Sequence, residues 1–485
     1  MKYIIHIVLV FLLLNVSVKA LSLKEAVNDS LSNNLSLKIE AINVDMAEED
    51  YLQSTTDYFP TITLSGSMSE NDYSDIKSQS GSATNGYELS PSSKSIVLSQ
   101  NVFSGFSRFY SSLSTKEQLH IQNLTQSKVT QDIILETIDA YYNVLLAQKI
   151  VQSNKDNFNS VSERFNATSK EFEVGLASKT DVAQSDAFLN NSKINLLDAK
   201  INLKNTMNSF YNLIGTKPNN LTFSEIDSEV PDTFEEYKEL VISNNYTIRI
   251  VDSTLNVYNA NIGIARSALY PQINLSASRT ELEEYSTTID ELTNEELQAT
   301  VTWPIFKSGK SLSNIRKAKK QKNSQIILIQ KTTNETLSLA ENIWENYLIT
   351  DETVEAAKLN FLANKTAYEG TVIEEEVGER SVLDVLTARQ SLLNSEIKYF
   401  QEQKDREITK AQVMYMSGIL NKMPSLTGTT DKIKELLFNK NFLIIMVVVS
   451  IFLGVAFYVY NTYIAPRINP DFVPNREFTT DGEQS

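Results

Sequence analysis

The residues whose types recur at a fixed spacing lie in two short stretches, Val174–Ser185 (VGLASKTDVAQS) and Val377–Ala388 (VGERSVLDVLTA). In each, Val-Gly is followed by a Ser three residues after the Gly and by Asp-Val six after it, and the two stretches are offset by 203 residues. The chemistry open to such residues is non-covalent. Gly175 and Gly378 permit φ > 0 where a helix stops. Asp181 and Asp384 fall in the first turns of the helices that follow, where the dipole favours a carboxylate. Covalent and metal chemistry find no support. The 485 residues include no Cys and two His, His6 and His120, so no disulfide, thiolate site or multi-histidine metal site is expected. No Gly-rich phosphate loop and no carboxylate pair in a defined pocket accompany them. No enzyme activity, cofactor or metal is therefore expected. The net charge of −16 argues against a nucleic-acid partner.

The elements around these stretches must hold them as tight turns between helices. Gly is only 14 and Pro only 10, so long uninterrupted elements are expected. Met1–Ala20 has the pattern of a secretory signal, with Lys2, an apolar run from Ile4 and a Val18-Lys19-Ala20 cleavage site. Ser22–Tyr58 has helical spacing and stops at Pro60. Thr61–Met68 alternates as a strand, Ser69–Lys94 reads as a polar loop, and Ser95–Phe103 reads as a second strand. From Ser107 to Glu173 no Pro or Gly interrupts the helical pattern, which predicts a helix roughly 100 Å long. Val151, Phe158, Val161, Phe165, Thr168 and Phe172 on it have coiled-coil-like spacing. A shorter helix from Lys179 to Ile214 ends at Gly215.

The pattern then repeats. An offset of 211 lays Ser22–Ser67 on Thr233–Ser278, matching Asn33-Asn34 to Asn244-Asn245 and Pro60 to Pro271. An offset of 203 matches Val102-Phe103 to Ile305-Phe306 and Gly215 to Gly418. The expected organisation is a signal peptide (1–20), a first repeat (21–215), a connector (216–232) and a second repeat (233–420). A linker (421–441), an apolar stretch (442–460) and a polar tail (461–485) follow. Aromatics at the strand ends, Tyr58, Phe59, Phe103 and Phe106 and then Tyr270, Trp303 and Phe306, suit the interfacial girdle of a transmembrane barrel.

With its signal, duplication, Asn-Asn and Pro landmarks and two Val-Gly turns, the chain resembles the TolC-type outer-membrane efflux proteins from about Leu21 to Leu420. The resemblance implies a mainly α protein with a transmembrane β-barrel. Duplicated helical hairpins would form an α-barrel in the periplasm. Four strands from each protomer of a homotrimer would form one 12-stranded barrel in the outer membrane of a Gram-negative bacterium. It implies a passive exit duct, fed by an inner-membrane pump or ABC transporter through a periplasmic adaptor (membrane fusion) protein. The adaptor would dock at Val174, Gly175 and Leu176 and at Val377, Gly378 and Glu379. A gate latch would join Arg380 to Thr180 and Asp181 on a neighbouring hairpin, and Asp384 would contribute to an acidic ring. Two positions depart from the family pattern: Thr387, where some members carry another acid, and Glu375, where they carry Tyr.

A reading from another class is a structural trimeric coiled-coil tether or adhesin stalk without a pore. The alternating strands with aromatic ends argue against it. Phe442–Tyr460 is nineteen uncharged residues, about 28 Å as a helix, and suits an extra C-terminal transmembrane helix. The sequence would place it in the inner membrane, tethering the duct near its pump, although Lys432, Lys434 and Lys440 run against the positive-inside rule for that orientation.

Overall fold

A computed structural model describes residues 21–74, 76–77, 83–84, 86–226 and 230–422. The expected signal peptide, the apolar stretch 442–460, the tail and all but the first two residues of the linker lie outside them. Among the described residues no helix is long and apolar enough to cross a membrane.

The first repeat opens with α1 (Leu23–Asn33) and α2 (Leu35–Thr56). The single helix expected over Ser22–Tyr58 is therefore broken, and Asn34 is the cause. Its backbone is extended (φ −62°, ψ 125°), and its Oδ1 accepts from Ser36 N at 2.9 Å and Leu37 N at 3.3 Å. Its own N–H donates to Ser30 O at 2.8 Å, so one residue ends α1 and caps α2. The second repeat does the same at Asn245, between α5 (Phe234–Asn244) and α6 (Tyr246–Ser267).

After α2 come β1 (Thr61–Met68) and a polar segment that is more ordered than the loop expected there. It contains β2 (Asn71–Tyr73), β3 (Ile76–Lys77), β4 (Ala83–Thr84) and β5 (Tyr87–Leu89), with β2 paired to β5 and β3 to β4. These short ladders extend the hairpin made by β1 and β6 (Ser92–Phe103), which starts three residues before the expected Ser95. The long helices α3 (Ser107–Glu173) and α4 (Lys179–Ile214) follow, with the bounds expected from the pattern. The second repeat continues as β7 (Gln272–Ser286), β8 (Ile289–Thr302), α7 (Lys310–Glu376) and α8 (Val382–Met416).

The main sheet is antiparallel in the order β1-β6-β7-β8. Every residue of β1 is exposed, so no element among the described residues covers that strand. The helices stack in the same order, with α2 on α3, α3 on α6 and α6 on α7, and each long helix returns along its partner, α4 or α8. Where α5 packs on α7, Tyr237 stacks on Trp344 with ring centroids 5.1 Å apart, inside a cluster with Val241, Ile248 and, from α8, Val413 and Met416. Where sheet meets helices, Phe106 makes edge contacts with Phe103 and Tyr270, and Trp303 Nε1 donates to Leu269 O.

The landmarks that mark the repeat in sequence meet in space. Asn33 Nδ2 donates to Ile214 O beside Gly215, and Asn245 Nδ2 donates to Met416 O beside Gly418. Gly418 has φ 67°, and a Cβ there would lie 2.4 Å from Asn244 O. No other residue fits this junction between the end of one hairpin and the start of its repeat.

Candidate functional site

The ends of the two hairpins are built alike, for reasons visible residue by residue. α3 ends when Gly175 turns to φ 83°; Gly175 N then donates to Phe172 O at 3.0 Å and Leu176 N to Glu171 O at 2.7 Å. α7 ends at Gly378 (φ 81°), with Gly378 N on Glu375 O and Glu379 N on Glu374 O, both at 2.9 Å. In each case the N–H beyond the Gly reaches back to a carbonyl five residues earlier, closing the helix end. The N-cap of the next helix, Ser178 or Ser381, lies three residues after the Gly. Ser178 N donates to Asp181 Oδ2 at 2.8 Å and Asp181 N to Ser178 Oγ at 3.2 Å. Ser381 and Asp384 repeat this capping box at 3.0 and 3.2 Å. The hydrogen bonds from Ser178 and Ser381 hold the two Asp carboxyls below their ordinary pKa.

These turns present apolar side chains to solvent. Val174, Leu176 and Val377 are 71%, 82% and 69% exposed. A Cβ on Gly175 or Gly378 would meet nothing within 4 Å. Thr180, Glu379, Arg380 and Asp384 are exposed beside them. Within one chain Arg380 and Asp181 are engaged separately. Arg380 Nε donates to Glu374 Oε2 of its own turn at 2.9 Å, which raises the guanidinium's pKa, while Asp181 caps α4.

A pair that the sequence reading missed joins the two hairpins. Arg164 on α3 forms an ion pair with Glu375 on α7, and the two side chains are only 18% and 10% exposed. Residues 211 apart in sequence carry no local signal of contact. The Ser-x-x-Asp caps, in contrast, were readable from their spacing.

Toward its tip the buried face of α3 becomes more polar, changing from Ile133, Ile134, Ile138, Tyr141 and Val144 to Ser153, Asn154, Asn157, Val161 and Thr168. The tip end of α8 instead buries Val385, Leu386, Leu392 and Leu393. Among the described residues no group of three or more His, Asp or Glu side chains could hold a metal ion.

A short sheet without a covering core, continuous with two very long hairpins that end in capped Gly turns, is the protomer architecture of outer-membrane channel proteins. The profile of the family described as outer membrane efflux protein matches residues 26–216 and 239–418, and the chain belongs to that family. It is 22% identical to the outer membrane efflux protein BepC of Brucella suis, over 67% of this chain and 71% of that one. It is 21% identical to the outer membrane protein TolC of Escherichia coli, over 85% of this chain and 83% of that one. The structure superposes on the CmeC outer membrane channel of Campylobacter jejuni with a TM-score of 0.74 at 19% identity, covering 85% of this chain and 88% of that one. The chain is an outer-membrane exit duct.

Proposed function

We propose that three copies of this chain close one continuous duct, a 12-stranded barrel above an α-barrel, and that the hairpin tips form its periplasmic gate and adaptor-docking end. The observation that carries this reading is a coincidence of open edges. The sheet stops at β1 and β8, and the helical layer stops at α2 and α7, which adjoin those same strands in the chain. Unpaired strand edges call for partners, and closure removes them. Ile39, Ile42 and Met46 on α2 and Ile327, Leu328 and Leu339 on α7 are exposed apolar residues on the two terminal helices.

In this assembly Val174, Gly175, Leu176, Val377, Gly378 and Glu379 receive a periplasmic adaptor, and an inner-membrane pump supplies the energy. Arg380 latches Thr180 and Asp181 of a neighbouring hairpin, and Asp384 contributes to an acidic ring. The stretch 442–460 holds the duct at the inner membrane; truncation after Met423 would leave the trimer intact and reduce its recovery with inner-membrane proteins. Mass determination in detergent combined with planar-bilayer recording tests the reading. Trimers that conduct are expected, and a conducting monomer or a non-conducting trimer would overturn it.

A further inference from the structure

We infer that the protomers are joined by a charge-matched seam, in which the basic edge of α7 on one copy packs against the acidic edge of α2 on the next. This rests on the trimeric reading above and names the surface that makes it.

The chain contains its own template. α3 and α7 are each 67 residues long, and α2 and α6 are each 22. Offsets of 203 and 211 superpose these pairs end to end. The packing of α3 on α6 inside the chain is therefore the pattern for α7 packing on α2 of a neighbour. Inside the chain, Asn256 Nδ2 donates to Glu117 Oε2 at 3.2 Å. The counterpart of Glu117 is Lys320, and that of Asn256 is Asp45. The internal hydrogen bond becomes an ion pair between copies.

Depth along the helices gives the same pairing independently. Lys320 lies ten residues into α7, and Asp45 eleven residues before the end of α2, so both are ~15 Å from the sheet end of their helix. Arg316 and Lys317 then share the level of Glu49, at ~10 Å. Ile327 shares the level of Ile39, at ~25 Å. Charge meets opposite charge, and apolar meets apolar. Arg316, Lys317 and Lys320 lie along a shallow groove on one side of α7, away from the Ala318 and Gln325 side that packs on α6. Among the described residues, none of Arg316, Lys317, Lys320, Asp45 and Glu49 has an opposite charge in an ion pair with it. A second template contact is steric. The ring of Tyr110 lies against Gly263, where a Cβ would come within 2.3 Å. Their counterparts are Ser313 and Leu52, again one small residue facing one large.

The test uses the full chain, which has no native Cys. Lys320→Cys with Asp45→Cys should cross-link into dimers and trimers with a short bis-maleimide, whereas Lys319→Cys with Asp45→Cys should not. Lys320→Glu should lower the trimer-to-monomer ratio by up to roughly fivefold at each interface, more at low salt, and added Asp45→Lys should restore it. Both positions are exposed, so circular dichroism of the variants should match the parent. A parent trimer without the 320–45 cross-link, or with no response to the charge swap, would overturn the seam and leave the trimer standing. A monomeric parent would overturn the trimer reading itself. Loss of binding to anionic phospholipid vesicles in Lys320→Glu, with trimer yield unchanged, would assign the basic edge to lipid headgroups and also overturn the seam.

Discussion

Arg164 and Glu375 form a largely buried ion pair between the first and second hairpins of one chain, three residues before the Gly378 turn. Glu375 offers a charge, and Arg164 answers it from α3. The pair ties the distal ends of α3 and α7, so its removal should be felt at the tip rather than in the core.

Arg164→Ala or Glu375→Ala leaves one charge buried without its partner, at a cost of about 3 kcal/mol. Single-channel recording should then show higher conductance or more frequent opening. The double variant Arg164→Ala/Glu375→Ala should recover much of the thermal stability while the gate stays loose. A closed-state conductance equal to the parent in all three would show that packing alone holds the hairpins together.

Arg380→Ser, Thr180→Ala and Asp181→Ala should each raise conductance if Arg380 reaches a neighbouring hairpin in the trimer. Within one chain Arg380 bonds Glu374, so Glu374→Gln supplies the discriminating measurement. Freeing Arg380 from its own turn should strengthen the latch and lower conductance. An increase would mean that the Arg380–Glu374 bond itself shapes the closed tip.

The acidic ring should keep its charge in mildly acidic solution. Ser381 lowers the pKa of Asp384, so the folded value lies below the unfolded one of about 3.9. The stabilisation from this cap is present above the unfolded pKa and is lost as pH falls through the folded value. Cation preference, read from reversal potentials, should therefore persist as pH is lowered to about 4. Ser381→Ala should move its loss to higher pH, and Asp384→Asn should weaken cation preference throughout.

Glycine substitutions should divide by location. Gly175→Val and Gly378→Val strain a turn that has φ near +80° and open space around it. Trimer yield should remain normal while cross-linking to the adaptor falls. Gly418→Ala drives a Cβ into Asn244 O and should reduce folded yield. Equal loss of trimer in all three would assign the tip glycines to folding alone.

Glu407 is fully buried on α8, where its carboxylate accepts from Ile226 N at 2.8 Å and from Arg406 Nε at 2.9 Å. It fastens the connector to α8. Glu407→Ala should destabilise the protein by about 1–3 kcal/mol, because the buried Ile226 N–H loses its acceptor, while Arg406 keeps Glu225 and Asp351 as partners. A melting temperature within a degree or two of the parent would show that water replaces the carboxylate.

The features legible in the sequence are those governed by neighbours along the chain. The span of α3 follows from 67 residues without a breaker, and β1 from alternation over Thr61–Met68. The hairpin turns follow from Gly at positive φ and from Ser and Asp three apart, contacts within one turn of backbone. The duplication is legible because each repeat preserves spacing. The break at Asn34 was not, since an Asn within a helical period becomes a cap only when its side chain turns onto the backbone ahead. The Arg164–Glu375 pair, the burial of Glu407 and the choice of Glu374 by Arg380 depend on which helix faces lie together and at what axial stagger. Helical periodicity sets which residues share a face. It does not set the height at which one helix meets another, because sliding by a turn leaves the apolar stripe in register with itself. That height is decided by tertiary packing, and with it the ion pair across the hairpins.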